Sequence, residues 1–302
     1  MLISTGLDTD GSIDETIAKA TALQDQGFRS MWASQIFGPD TLTVLAVVGR
    51  ELPMLNLGTA VIPIQPRHPA MLAAQARTVQ DSIGGTLSLG IGLSHQVVVE
   101  GLWGLSFDRP AHHMREYLEV LAPMLRGEAV HQRGTKVTAI TQGAVGPKSV
   151  QAPSLLVAAL GPVMLKSAGQ LTDGTCLWMT GQKTIATHVT PILTAAASEA
   201  GRPAPRIVCA LPVAVTNDIA GARDRINEQL ALYGTLPSYK AMLDKEGVSG
   251  PAGVSLIGSK EQVTHLIGEL GEAGVTEFSG AATGNTAERE ATLELLASLV
   301  TA

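Results

Sequence analysis

Short apolar runs alternate with longer amphipathic ones along the whole chain. The short runs fall at 2–7 (LISTGL), 29–34 (RSMWAS), 54–62 (MLNLGTAVI), 86–92 (TLSLGIG), 154–160 (SLLVAAL), 174–179 (GTCLWM), 206–216 (RIVCALPVAVT) and 274–280 (GVTEFSG). Several are apolar without alternation, the pattern of strands covered on both faces in a parallel sheet. Between them the apolar spacing becomes helical, at about 12–27, 40–51, 68–82, 109–126, 162–171, 183–200, 218–233, 259–272 and 286–300. Start and stop residues agree with this division. Ser12 with Glu15, and Ser259 with Gln262, have the spacing of capping boxes. Asp108 reads as an N-cap, with Pro110 in the first helical turn. Gly27, Gly84–Gly85, Gly127, Gly201 and Gly274 close helices.

Eight strands, each followed by a helix, predict a single α/β domain over residues 1–302, a (β/α)8 TIM barrel. A doubly wound open sheet is the alternative reading of the same alternation. Three stretches exceed the minimal barrel: about 93–107 after the fourth strand, 127–153 after the fourth helix, and 234–258 after the seventh. The second reads as a hairpin excursion. The third, rich in Gly, Pro and Ser, reads as a lid.

Length fits this picture, since 302 residues suit a barrel with insertions on a typical core of about 250. Apolar residues are 45% of the chain and aromatics only 3%. The core must therefore rest on Ala, Val, Leu and Ile. A net charge of −6 without clustered Lys or Arg argues against nucleic acid as a partner and against a polybasic membrane patch. No unbroken apolar stretch reaches the length of a membrane span, about 18 residues. The N-terminus lacks the basic-then-apolar layout of a signal peptide, so a soluble cytoplasmic protein is expected. Cys176 and Cys209 lie in strand-like runs and are expected as buried free thiols.

In such a barrel the chemistry sits at the C-terminal ends of the strands. The first strand delivers Asp8, Thr9 and Asp10; the second Ser34 and Gln35; the third Pro63, Gln65, Arg67 and His68. The fourth delivers Ser94 and His95, the fifth Gly161, the sixth Thr180 and Gln182. The last two deliver Thr216 with Asn217, and Ser279 with Thr283. Acids come only from the first loop, which disfavours the opposed carboxylates of a glycosidase. No His-x-His occurs on the first strand, so a metal-dependent hydrolase is disfavoured too. Gly90-x-Gly92 begins like a dinucleotide fingerprint, but His95 takes the third glycine's place and no helix follows at once. Gly92-x-Ser94 lacks the closing glycine of a nucleophile elbow. What remains is a small, polar, glycine-rich mouth, suited to a bulky planar cofactor whose own ring does the chemistry. The string AALGPVMLKSAG runs strand, Gly161, then Pro162 at a helix start. The free amides of Gly161, Val163 and Met164 could hold a phosphate there; a plain tight turn is the alternative.

These residues together resemble the luciferase-like monooxygenase superfamily, in particular its branch that uses the deazaflavin coenzyme F420. The resemblance runs nearly end to end. It is carried by MWASQIFGPDTL at 31–42, LGTAVIPIQPRHPAMLAAQARTVQ at 57–80, RPAHHMREYLEVLAPMLRGE at 109–128 and GPVMLKSAGQLTDGTCLWMTG at 161–181. It implies a barrel that binds flavin or deazaflavin at the strand C-termini, often as a homodimer. It implies a non-prolyl cis peptide near the end of the third strand, matching Ala60–Val61. It places Ser34, Gln35, Gly92, Ser94 and His95 beside the ring, and Gly161, Pro162 and Val163 near the phosphate. Related sugar-phosphate dehydrogenases carry a His after the second strand and a Glu after the fourth. Gln35 and His95 stand there in this chain, so sugar-phosphate oxidation is not expected. His95 is open to two roles, proton donor to a substrate or hydrogen-bond partner of the ring or backbone. Val97, Val98, Leu102, Trp103 and Phe107 offer an apolar pocket lining. The expected activity is hydride transfer between coenzyme F420 and a small organic substrate. An FMN-dependent monooxygenase and a flavin- or deazaflavin-binding protein without turnover are the alternatives.

Overall fold

Eight parallel strands close on themselves in the computed structural model, which describes residues 1–300 apart from Ile36 and Ser149. They are β1 Leu2–Gly6, β2 Ser30–Ala33, β3 Asn56–Thr59, β4 Leu87–Gly92, β5 Ser154–Val157, β6 Gly174–Trp178, β7 Arg206–Val215 and β8 Glu277–Ala282. Each pairs with the next, and β8 returns to β1 with Leu2 opposite Glu277 and Thr5 opposite Gly280. The closed barrel, rather than the open doubly wound sheet, is thus the fold. Two short segments extend the sheet: Ile62–Pro63 runs beside the end of β4, and Leu256–Gly258 beside the end of β7.

The barrel interior is filled from the bottom. At the N-terminal end Glu277, only 2% exposed, accepts from Trp32 Nε1 at 2.7 Å and Ser30 Oγ at 2.9 Å, and meets Arg206 at 3.0 Å. Arg206 also donates to the hydroxyls of Ser88 and Ser154 at 3.0 Å each. The buried pair is tolerated because its remaining polar sites are bonded. Trp32, Leu156, Cys176 and Val208 form the next layer. The Trp32 indole fits because β3 carries Gly58: a Cβ there would lie 2.3 Å from the ring. Both cysteines are buried and free, as expected, and burial raises both thiol pKa values.

The helices follow the sequence pattern closely. Both capping boxes form, and a third, Asn285 with Glu288, opens the last helix, Thr286–Ser298. Asp108 is not a cap. Arg109, in the left-handed region at φ 48°, holds that position before Pro110–Leu125, and the Asp108 carboxylate turns instead to Lys136 and Arg109. The segment expected as one helix at 183–200 is Gln182–Thr184, a π turn at Ile185–Val189, and Thr190–Glu199. Pro191 has no N–H to continue the regular ladder across that turn. Among the described residues, no helix is long and apolar enough to cross a membrane.

The 127–153 excursion holds the expected hairpin, His131–Arg133 against Thr138–Ile140. Two buried charges fasten it. Glu116 accepts the backbone N–H groups of Thr135, Lys136 and Val137 at 2.9, 2.7 and 2.9 Å. Arg77, 1% exposed, donates to the carbonyls of Leu125, Val145 and Pro147. The 234–258 excursion is more ordered than its composition suggested. It carries the end of helix Ala231–Thr235, then helix Pro237–Glu246 and a 3-10 turn at Pro251–Gly253.

Candidate functional site at the barrel mouth

β3 ends at Thr59, and the chain passes through a cis Ala60–Val61 bond before rejoining the sheet at Ile62. The cis bond lies where the family resemblance implied one. Gly92, the last residue of β4, faces this bend. A Cβ on Gly92 would lie 2.6 Å from Val61 Cγ2 and 3.5 Å from the Ala158 Cβ. Ala60, Val61, Gly92 and Ala158 therefore make a tight floor of small side chains. The predicted Ala60, Val61 and Gly92 come together; Ala158 was missed because it lies inside an apolar run with no polar signal.

Past Gly92, Ser94 adopts the left-handed conformation at φ 56°, which turns the chain sharply. Gln65 Nε2 donates to Leu93 O at 2.6 Å, while its Oε1 is buried without a partner among the described residues. His95 then precedes a short helix, Gln96–Val99. Its half-buried ring packs on Tyr239, centroids 5.7 Å apart. Burial lowers the His95 pKa below its usual 6.5, so the imidazole is neutral at neutral pH. Among the described residues neither of its nitrogens has a hydrogen-bond partner.

Ser34 is exposed, and its carbonyl accepts from Thr41 Oγ1 at 3.1 Å. The Gln35 amide is committed locally: Oε1 accepts from Thr41 N at 2.9 Å and Nε2 reaches Pro39 O at 3.5 Å. Gln35 still lines a cleft of about 430 Å³ with Phe37, Pro63, Arg67 and Trp103. Arg67 is paired there with Asp40. Val97 and Leu102, expected in a pocket wall, stand 64% and 66% exposed instead. The loop folds into a helical turn that directs Val99 inward in their place.

Gly161 is the N-cap of helix Pro162–Leu171, and no side chain bonds the amides of the first turn. His188 Nε2 lies 2.9 Å from the carbonyl of Leu160 and steadies the preceding strand end. A Cβ on Gly161 would meet nothing within 4 Å, and Val163 is 62% exposed. The end is open, unlike the neighbouring one. There Glu246, at the end of helix Pro237–Glu246, accepts from Lys183 N at 3.1 Å and Thr184 N at 2.8 Å. One helix N-terminus is closed by a carboxylate of the chain itself, and the other has no side-chain acceptor on its first-turn amides.

Sequence reasoning missed an aromatic row. Trp178 at the end of β6 meets Tyr233 edge-on at 6.0 Å, Tyr233 meets Tyr239 at 5.3 Å, and Tyr239 meets His95. In a chain with three tyrosines and three tryptophans, their scarcity was the available signal. Among the described residues no group of three or more His, Cys, Asp or Glu side chains could hold a metal.

The closed barrel is a (β/α)8 TIM barrel, with small residues, an open helix end and aromatics gathered at the C-terminal rim, where sites of this fold lie. The chain belongs to the luciferase-like monooxygenase family, whose profile matches residues 2–277; family members are oxidoreductases. A 5,10-methylenetetrahydromethanopterin reductase of Methanolobus tindarius is 24% identical over 291 residues, 86% of this chain and 87% of that protein. The coenzyme F420-dependent tetrahydromethanopterin reductase of Methanopyrus kandleri has the same fold, with TM-score 0.80 and 21% identity over 99% of both chains. So does the oxygenating constituent of 3,6-diketocamphane monooxygenase from Pseudomonas putida, solved with FMN, with TM-score 0.75 and 19% identity over 99% of this chain and 98% of that one.

Proposed function

We propose that this chain is an F420-dependent oxidoreductase that transfers a hydride between the deazaflavin and a small organic substrate. The observation that carries the reading is the floor of the mouth. Gly92 has no side chain, Val61 and Ala60 bend up beneath it, and Ala158 closes the side. A Cβ at Gly92 would collide with the Val61 side chain, so the glycine lets the Ala60–Val61 segment close against β4 and leaves a floor of small side chains for a flat ring. When bound, the deazaflavin supplies the hydride donor or acceptor.

The chain's own residues hold and orient. Gly92, Ala60 and Val61 let a ring approach the backbone. Ser34 and Ser94 offer hydroxyls at the rim. The N–H groups of Val163 and Met164, with Gly161 before them, receive a phosphate at the open helix end. Hydride transfer asks for reacting atoms held about 3–3.5 Å apart rather than for a strong acid and base. A neutral His95 can donate an N–H hydrogen bond to a ring atom or to a substrate atom; to deliver a proton it first takes one from solvent and gives it up as the imidazolium. The scarcity of acids at the mouth agrees with this division of labour. The likeness to the F420-dependent tetrahydromethanopterin reductase favours F420 as cofactor. The likeness to the FMN-bound fold neighbour favours one second reading, an FMN-dependent monooxygenase.

The deciding experiment is equilibrium titration of the purified protein with F420 and FMN in parallel. F420 is expected to bind at least about tenfold more tightly. A preference for FMN selects the second reading, and binding of neither removes both.

A further inference from the structure

The geometry points to the row Trp178–Tyr233–Tyr239–His95 as a substrate-recognition wall, and we propose that it takes a flat, uncharged, conjugated molecule carrying a hydrogen-bond acceptor, read by the N–H of Trp178. This deepens the proposed function and rests on it, because it assigns the side of the mouth that faces the second reactant.

The placement of Trp178 comes first. Cys176 packs in the barrel interior with Trp32, Leu156 and Val208. Trp178 lies two residues further along the same strand, so it projects to the same interior side, one layer nearer the mouth. Its ring is edge-on to Tyr233, with 74° between planes, and Tyr233 is edge-on to Tyr239 at 79°. The row then crosses to His95, inclined at 54°. Three separate parts of the chain, β6, the helices Ala231–Thr235 and Pro237–Glu246, and the loop after β4, thus deliver rings to one surface. Edge-to-face rings present alternating faces and edges, against which a flat conjugated molecule stacks or abuts.

The second observation is an orphan donor. Trp178 Nε1 is buried and has no hydrogen-bond partner among the described residues. The other interior indole is treated differently: Trp32 Nε1 donates to Glu277 at 2.7 Å. A buried N–H without an acceptor is destabilising, and native chains keep few of them. An indole N–H can only donate, so the missing partner is an acceptor, a carbonyl oxygen or a ring nitrogen.

Charge narrows the class. None of the four side chains in the row is ionised at neutral pH: burial holds His95 neutral and keeps Tyr233 and Tyr239 protonated. Of the two acids on the helix Pro237–Glu246, Glu246 is spent on the amides of Lys183 and Thr184, and Asp244 is paired with Lys240 at 3.0 Å. The wall therefore offers no counter-charge to a carboxylate or an ammonium group. A conjugated carbonyl compound or a neutral nitrogen heteroaromatic fits it.

The test is equilibrium dialysis of F420-loaded protein against two probes of similar shape, coumarin with its lactone carbonyl and naphthalene without an acceptor. Coumarin is expected to bind at least about tenfold more tightly, the worth of one well-placed hydrogen bond. Trp178→Phe should remove about tenfold from coumarin and leave naphthalene within about twofold. Tyr233→Ala and Tyr239→Ala should weaken both probes. Tyr233→Phe and Tyr239→Phe keep the rings, guard against a folding defect, and should retain naphthalene. Equal binding of the two probes, or equal losses in Trp178→Phe, overturns the inference. Loss of F420 itself in Trp178→Phe would assign the indole to the coenzyme and overturn the inference alone. If wild-type protein takes up no F420, the proposed function fails, and the same two-probe comparison on coenzyme-free protein still decides the wall.

Discussion

The imidazole of His95 and the phenol of Tyr239 face each other with centroids 5.7 Å apart. One ring follows β4 and the other sits on the helix Pro237–Glu246. The contact ties that helix to the loop after β4 and buries the imidazole, and that burial lowers the His95 pKa from 6.5. The folded protein then binds this proton less readily than the unfolded chain. Stability should fall as pH drops below 6.5 and level off beneath the folded midpoint. Proton NMR titration of wild type should give a His95 midpoint below 6.5, and Tyr239→Ala should move it upward. A wild-type midpoint at or above that value contradicts the account. His95→Ala separates its two roles: a proton donor loses turnover at unchanged coenzyme affinity, a ring contact loses affinity.

Glu116 makes a different pH prediction. Three backbone N–H groups of the hairpin hold its carboxylate ionised, with a pKa of about 2 in place of 4.5. Its contribution is present above 4.5 and is lost as pH falls from there toward about 2. Glu116→Ala leaves the three amides without their acceptor and should cost about 2–4 kcal/mol at neutral pH. Urea unfolding across pH should show the gap between wild type and variant closing as the medium becomes acidic. A gap independent of pH would refute the assignment.

Two glycines of β4 should behave oppositely. A Cβ on Gly90 would lie 2.0 Å from the carbonyl oxygen of Thr59, a backbone atom that cannot swing aside. Gly90→Ala should destabilise by about 2–4 kcal/mol or prevent folding. At Gly92 the obstruction is the end of the Val61 side chain, at 2.6 Å. Gly92→Val should fold, with a modest drop in melting temperature, and lose coenzyme. Wild-type F420 affinity in Gly92→Val would move the ring away from this floor.

Gly161 tests the anion end. Its φ of −79° and ψ of 156° suit any residue, and no atom blocks a side chain. Gly161→Asp supplies the missing cap and should stabilise the protein by about 0.5 kcal/mol. The same carboxylate repels a phosphate. Affinity for F420 should drop, while affinity for the deazaflavin riboside without phosphate should hold. Equal losses for both would remove the phosphate from Gly161.

Most elements were legible because their causes are local. Ser12 with Glu15 and Ser259 with Gln262 cap helices through side chains three residues apart, and apolar runs without alternation mark strands covered on both faces. Asp108 misled because its carboxylate had a better partner in Lys136, across the hairpin. The 234–258 excursion looked loose because it is rich in Gly, Pro and Ser. Its order comes from Glu246 reaching the helix after β6, and from Tyr239 reaching His95.

The sequence by itself determined the alternation of strand and helix, the parallel barrel and the family, since these follow from periodicity, caps and text read along the chain. The tertiary structure decided which side chains meet at the mouth. It left the Trp178 indole without an acceptor while satisfying that of Trp32, opened one helix N-terminus and closed its neighbour with Glu246, and committed Gln35 to its own loop. Burial and hydrogen-bond partnership are set by residues distant in sequence, and no local pattern specifies them.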